Sequence, residues 1–199
     1  MATMRKPSKP MKGYCLLLSV AAVSSLNAAA ADSPTLRLRT ADQGTGTVGF
    51  SGTHAGDAFR GTFRQWESAI VFDPAVVAKG HISARFELGS ARTGNAMYDG
   101  TLPKADWLDV EVHPHGTFVS SRISENRDGS YTVAGVLTLR GIARPISFPL
   151  SITPAADGSL SVKGEFAVDR LAYGIGAGSD PSSEWVGRQI AVQLELTAR

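Results

Sequence analysis

Tyr131-Thr-Val-Ala-Gly-Val-Leu-Thr-Leu-Arg-Gly-Ile-Ala-Arg-Pro-Ile-Ser-Phe-Pro-Leu-Ser-Ile152 is the stretch that decides the fold. Tyr131, Val133, Gly135, Leu137 and Leu139 share one parity, Thr132, Ala134, Thr138 and Arg140 the other, and only Val136 breaks the rule. A tight reversal through Arg140-Gly-Ile-Ala-Arg-Pro145 leads into Ile146, Phe148, Leu150 and Ile152, which alternate with Pro145, Ser147, Pro149 and Ser151. A period of two with one apolar parity is a strand with one buried face and one wet face. Working outward, Asp157-Gly158 introduces Leu160, Val162, Gly164, Phe166 and Val168, and Asp128-Gly129 precedes Tyr131. Asp-Gly between alternating runs is a strong hairpin signal. Ile82, Ala84, Phe86 and Leu88 repeat the pattern upstream, and Ile190, Val192, Leu194 and Leu196 close the chain with it. Helical spacing is missing except for one short turn around Leu102 to Trp107. The expected fold is all-β: an up-and-down antiparallel β-barrel of about eight strands, closed because closure removes exposed edges. A two-sheet sandwich satisfies the alternation equally well. Gly49, Gly52, Gly61, Gly135 and Gly164 inside strands signal sharp bends or the close approach of a ligand.

The N-terminal residues 1–31 follow another pattern. Arg5, Lys6, Lys9 and Lys12 form a basic opening, Tyr14 to Val23 an apolar run, and Asn27 to Ala31 a small-residue cleavage site. That order is a secretory signal peptide, and the run falls short of the ~20 residues of a membrane span. The expected product is exported and periplasmic, with its domain spanning 32–199. Cys15, the only cysteine, lacks the small residues that precede a lipid-anchored one. The chain carries a net charge of +2, but four of its 20 Lys and Arg lie in this segment, which leaves 16 against 18 Asp and Glu, or −2. Nucleic acid is excluded as a partner for want of a basic footprint. A domain of this length buries a sizeable core, and without cysteine it relies on packing alone.

Catalytic constellations are not legible. Gly49-Phe-Ser-Gly-Thr53 has the wrong spacing for a nucleophile elbow, and no cysteine remains to act as a thiolate. His113-Pro-His115 sets two imidazoles on one strand face, short of the three protein ligands that a zinc site needs. Neither an enzyme nor a metal site is expected. The phenylalanines are more informative: Phe50, Phe63, Phe72, Phe86, Phe118, Phe148 and Phe166 each take the buried parity of a different strand, as does Leu137. A small barrel either fills with such side chains or encloses one slim ligand.

Between the strands runs one long connection: Thr93-Gly-Asn-x-x-x-Asp99-x-x-Leu102, then Trp107-Leu-Asp-Val110, then His113-Pro-His-Gly-Thr-Phe118. Together with Val48-Gly-Phe-Ser-Gly-Thr-His54, Arg60-Gly-Thr-Phe63, Ile70-Val-Phe-Asp-Pro74 and Phe166-Ala-Val-Asp-Arg-Leu-Ala-Tyr-Gly174, it resembles the YceI family of bacterial envelope proteins. The resemblance implies a lipocalin-like barrel around an isoprenoid lipid, a polyprenyl or quinone chain, with no other cofactor. It implies a non-catalytic carrier or sensor; a structural or interaction module of the envelope with a filled barrel is the alternative. Because some members occur fused to, or beside, b-type cytochrome membrane proteins, such a protein is an implied partner, and a homodimer stays open. Two departures stand at the mouth: Ala172 where an acidic residue is common, and Trp107-Leu108 for the usual Phe-Phe. The resemblance also places the long connection near a barrel opening, with Asn95 and Asp99 on it. Arg170 continues the parity of Phe166, so its stem extends the wall while its head reaches the rim. There it either pairs with Asp99 to pin the loop or meets the ligand's polar head, with His54 and Tyr173 nearby.

Overall fold

Alternation becomes eleven strands of one antiparallel sheet in the computed structural model, which describes residues 36–199. The signal-peptide reading lies outside the described residues. The strands are β1 Leu38–Asp42, β2 Gly46–His54, β3 Asp57–Phe63, β4 Trp66–Val71, β5 His81–Glu87 and β6 Ala91–Arg92. β7 His115–Glu125, β8 Tyr131–Leu139, β9 Ile142–Pro154, β10 Leu160–Asp169 and β11 Gln189–Ala198 follow. One short helix, α1 at Ala96–Thr101, lies in the long connection, ahead of the expected turn at Leu102 to Trp107.

The all-β antiparallel reading holds; the strand count of about eight does not. The order is β1-β4-β5-β7-β8-β9-β10-β11-β2-β3-β6. From β4 to β11 the long strands pair in chain order, and the β2–β3 hairpin follows on beyond β11. Strands β3 and β4 are joined through Arg64 and Gln65 but do not pair, so β1 occupies the free side of β4 and β6 that of β3. These two account for most of the excess: Leu38-Arg-Thr-Ala-Asp42 carries no apolar alternation, and a two-residue strand has no period. The sheet curls far enough for Thr40 and Arg199, at the ends of the order and of the chain, to exchange backbone hydrogen bonds of 2.8 and 2.9 Å.

The hairpins form where the sequence places them. The Asp128 and Asp157 carboxylates each accept from a serine two residues on, Ser130 and Ser159, both hydroxyls at 2.6 Å. At the β8–β9 reversal Arg140 and Gly141 both take positive φ, 49° and 71°, the geometry of a two-residue hairpin turn. A non-glycine there is strained, and the Arg140 guanidinium offsets the strain by donating to the carbonyls of Gly174 and Ala105.

The concave face carries the core. Trp66, Ile70, Val133, Phe148, Leu150 and Val162 bury one end of it, while Phe50, Leu88, Ala91 and Leu108 form a separate cluster. The glycines serve this packing: a Cβ at Gly61 would collide with the Phe50 ring, and one at Gly135 would lie 2.6 Å from Phe118. The rings themselves thus make the close approach expected of a bend or a ligand. Phe72 corrects one expectation, since it follows β4 rather than sitting in a strand. It is 1% exposed and packs edge-on against Tyr131 at 4.9 Å, part of the core.

Candidate functional site

The long connection forms the lip of the curled sheet. Asn95 caps α1, its side-chain oxygen accepting from the backbone of Met97 and Tyr98 at 3.0 and 3.3 Å. Asp99 turns back on Thr93, accepting from its backbone at 2.6 Å and its hydroxyl at 2.7 Å. Those donors, the Thr93 backbone first, hold the Asp99 carboxyl below the usual carboxylate range. Further along, Asp106 fastens the connection to the loop that precedes β11. Its carboxylate accepts from the Gly178 and Ser179 backbones at 2.8 and 2.9 Å and from the Ser179 hydroxyl at 2.6 Å. Burial pushes the Asp106 carboxyl up, but these donors and Arg140 outweigh it and the balance is downward.

Arg170 does not meet Asp99. β10 ends at Asp169, and Arg170 opens a 3₁₀ turn, Arg170–Tyr173, where it is 1% exposed. Its guanidinium donates to the Asp180 carboxylate at 2.6 Å and to the carbonyls of Ile175 and Val186 at 2.8 and 2.9 Å. The Trp107 ring lies across it, 5.9 Å away. Burial raises the Asp180 carboxyl, yet backbone donors from Val186, Trp185 and Glu184 together with Arg170 bring it below the ordinary range. Both expectations for Arg170 are therefore revised. Its partner is Asp180, ten residues on, and its donors are spent on protein acceptors, so the head does not reach out at the rim.

Inside the lip, three chambers follow one another. The mouth, about 240 Å³, is lined by His54, Phe59, Tyr98, Trp107 and Trp185 among others. His54 Nδ1 and the Tyr98 hydroxyl lie 3.1 Å apart there. Behind it lies a chamber of about 140 Å³ walled by Phe50, Phe63, Phe86, Leu137 and Phe166, with the Arg170 stem and Trp107 at its top. Phe59, Leu102, Trp107 and Val186 belong to both. An inner chamber of about 60 Å³ adds Phe118 and Phe148, and Phe86, Leu137 and Phe166 face both it and the middle one. Phe166 is held against Phe148 by near-parallel stacking at 4.2 Å, which makes it the partition.

Of the expected site residues, the chambers bring together the phenylalanines other than Phe72, with Leu137, Trp107, His54 and Arg170. Asn95 and Asp99 shape the lip without lining it. Tyr173 is a correction: it is 2% exposed in the core, off the chamber walls, and its buried hydroxyl has no partner among the described residues. The sequence reading missed Phe59, Tyr98, Asp180, Trp185 and Ile190. Phe59 had a signal, since it shares the β3 parity of Phe63; Asp180 and Trp185 sit in a loop without a period. Among the described residues, no three His, Cys, Asp or Glu side chains are grouped to hold a metal ion.

A model of the YceI-like domain matches residues 40–198. This chain belongs to the YceI family. A relative, the UPF0312 protein of Pseudomonas syringae pv. tomato, is 33% identical over 100 residues, 50% of this chain and 52% of that protein. The chain spans about half the length of the curated relatives it matches. The crystal structure of Burkholderia cenocepacia BcnA is similar with a TM-score of 0.76 and 25% identity, covering 80% of this chain and 99% of that one. A polyisoprenoid binding domain from Saccharophagus degradans, implicated in plant cell wall breakdown, shares the YceI fold at a TM-score of 0.65 and 12% identity, over 83% of this chain and 99% of that one.

Proposed function

We propose that the protein is a non-catalytic, exported carrier or sensor that holds an isoprenoid lipid in the chambers behind the lip. The observation that carries this reading is the run of apolar, phenylalanine-walled space leading inward from an aromatic mouth. The middle chamber, at about 140 Å³, is close to the ~150 Å³ of a cavity that takes a benzene ring. It suits one or two isoprene units, and a longer chain extends inward past Phe166 or outward through the mouth. Each buried methylene contributes about 0.8 kcal/mol relative to water, so three units, about 15 carbons, contribute ~12 kcal/mol and leave micromolar affinity, near −8 kcal/mol, after association costs of about 4 kcal/mol. Membrane lipid is already apolar, so the gain over a bilayer is small, which suits reversible carriage.

The mouth favours an uncharged head. Among the described residues its lining contains no Lys or Arg, and Arg170, behind it, is already committed to Asp180. A diphosphate would meet no free cation, whereas a quinone ring or a prenol finds His54, Tyr98 and three further aromatic side chains. A b-type cytochrome membrane protein as partner fits such cargo, and the sequence pattern of residues 1–31 supports export. The test is organic extraction of protein purified from its own cells, followed by mass spectrometry, and titration of lipid-free protein with farnesol and with farnesyl diphosphate. Co-purified isoprenoid, with farnesol bound more tightly than the diphosphate, is expected. If no isoprenoid is found and neither probe binds, the chambers are packing gaps and the protein is an interaction module.

A further inference from the structure

Among the described residues eight large apolar side chains are exposed, and two of them, Trp185 and Met97, stand on the mouth. Trp185 is 62% and Met97 63% exposed. Their backbones are fixed even though their side chains are free. The Trp185 carbonyl accepts from Ala55 at the β2–β3 turn at 2.7 Å, and its N–H points to the Asp180 carboxylate at 3.3 Å. Met97 is in the first turn of α1, its N–H capped by Asn95. Solvated side chains on so well-tied a backbone are held out rather than loosely placed.

We propose that this rim docks on a lipid bilayer, with the Trp185 indole and the Met97 side chain seated among the headgroups around the opening. The proposal rests on the lipid-carrying reading of the chambers, which supplies its logic: an isoprenoid insoluble in water passes to the protein without crossing water only if the mouth meets the membrane. Tryptophan has an apolar body and a polar N–H, the combination that settles at membrane interfaces. The exposed area argues against a protein partner or a second copy. The two side chains offer roughly 250 Å² between them. A stable protein interface needs about 800 Å² on each side. A bilayer asks for no matching surface, and a rim of this size gives reversible attachment.

The experiment uses full-length, lipid-free protein and ligand-free vesicles of phosphatidylethanolamine and phosphatidylglycerol. Co-sedimentation is measured for wild type, for Trp185→Ser/Met97→Ser, and for Leu38→Ser, an equally exposed apolar side chain on β1. All three carry the same N-terminal segment, so differences report the rim. The double variant is expected to partition about tenfold less, and Leu38→Ser as wild type. Lipids brominated near the headgroup should quench wild-type tryptophan fluorescence more than that of the double variant, with little sensitivity to salt. Equal partitioning of wild type and the double variant would overturn the proposal. So would attachment lost in salt, or a concentration-dependent dimer of wild type that the double variant lacks. Farnesol binding by wild type in solution is scored separately: its failure removes the lipid-carrying reading, whereas failed docking with farnesol bound removes only this inference.

Discussion

Arg170 shows how far one side chain can be read before its partners are known. Parity put it at the top of the Phe166 wall, and there it is; what it pairs with was beyond the reach of pattern. Asp180 lies in the Gly- and Ser-rich loop of 174–187, where no period marks which carboxylate turns inward. The pair is nearly sealed, with side chains 1% and 5% exposed. Removing one partner leaves a buried charge uncompensated, a cost on the order of 3 kcal/mol. Arg170→Met should therefore lower the melting temperature of lipid-free protein by several degrees, whereas Asp99→Asn should leave the Arg170 pair intact. An Arg170→Met variant that melts with wild type would deny the pair its structural role. Phe166 makes a different prediction, because it separates two chambers rather than sealing one. Phe166→Ala should join them and shift retention toward longer prenols, measured as relative affinity across a chain-length series. An unchanged preference would place the partition elsewhere.

The elements divide into those that sequence reveals and those it hides. Strands β8 to β10 were legible because each alternates over many residues between turns of recognisable chemistry. Asp128-Gly129 and Asp157-Gly158 bend the chain through the Ser130 and Ser159 contacts just as such pairs do elsewhere. The phenylalanine walls were legible for the same reason, since parity assigns a face. Strand β1 was not, being paired by its backbone with β4 and carrying no apolar alternation, and the order around β3 and β4 was not, because pairing is a long-range fact. The lip was half legible: its length marked it as functional, but its fastenings join positions some 70 residues apart. Asp106 is the main fastening, accepting from the loop of 174–187 while its carbonyl takes the Gly176 N–H at 2.6 Å. Asp106→Ala should speed amide exchange about tenfold in 93–114 and 174–187, from the loss of about 1 kcal/mol or more of hydrogen bonding. The β7–β10 amides should be unaffected. Uniform acceleration would mean that lip and sheet open together.

Across the whole molecule the polar fastenings are unevenly distributed. The lip depends on Asp99, Asp106 and Asp180, and the end of β10 on Asp169, held down by the Arg188 guanidinium and by N–H donors. The concave face of the sheet depends on apolar contacts such as Val133, Phe148 and Leu150, which do not titrate. All four carboxyls sit below their ordinary value in the folded state. Each therefore adds stability that is fully present above the unfolded carboxylate pKa, about 4, and is lost as pH falls through the lower folded value. Burial opposes the shift at each, most of all at Asp106 and Asp180, and the hydrogen-bond donors outweigh it. Asp128 and Asp157 are held down too, by their serine donors, but they sit at exposed hairpin tips outside the apolar core. Acid should thus loosen the lip before the body of the sheet. Between pH 5 and 8 these groups contribute no slope, since all remain ionised in both states. Below about pH 4, release of a bound isoprenoid probe and proteolytic cleavage within 93–114 and 174–187 should precede loss of the far-UV circular dichroism of the sheet. A single coincident transition of all three signals would sink this prediction, because lip and sheet would then be one cooperative unit. If the order holds, acidity acts on the mouth alone, opening the way to the chambers while the walls that would hold the chain stay in place.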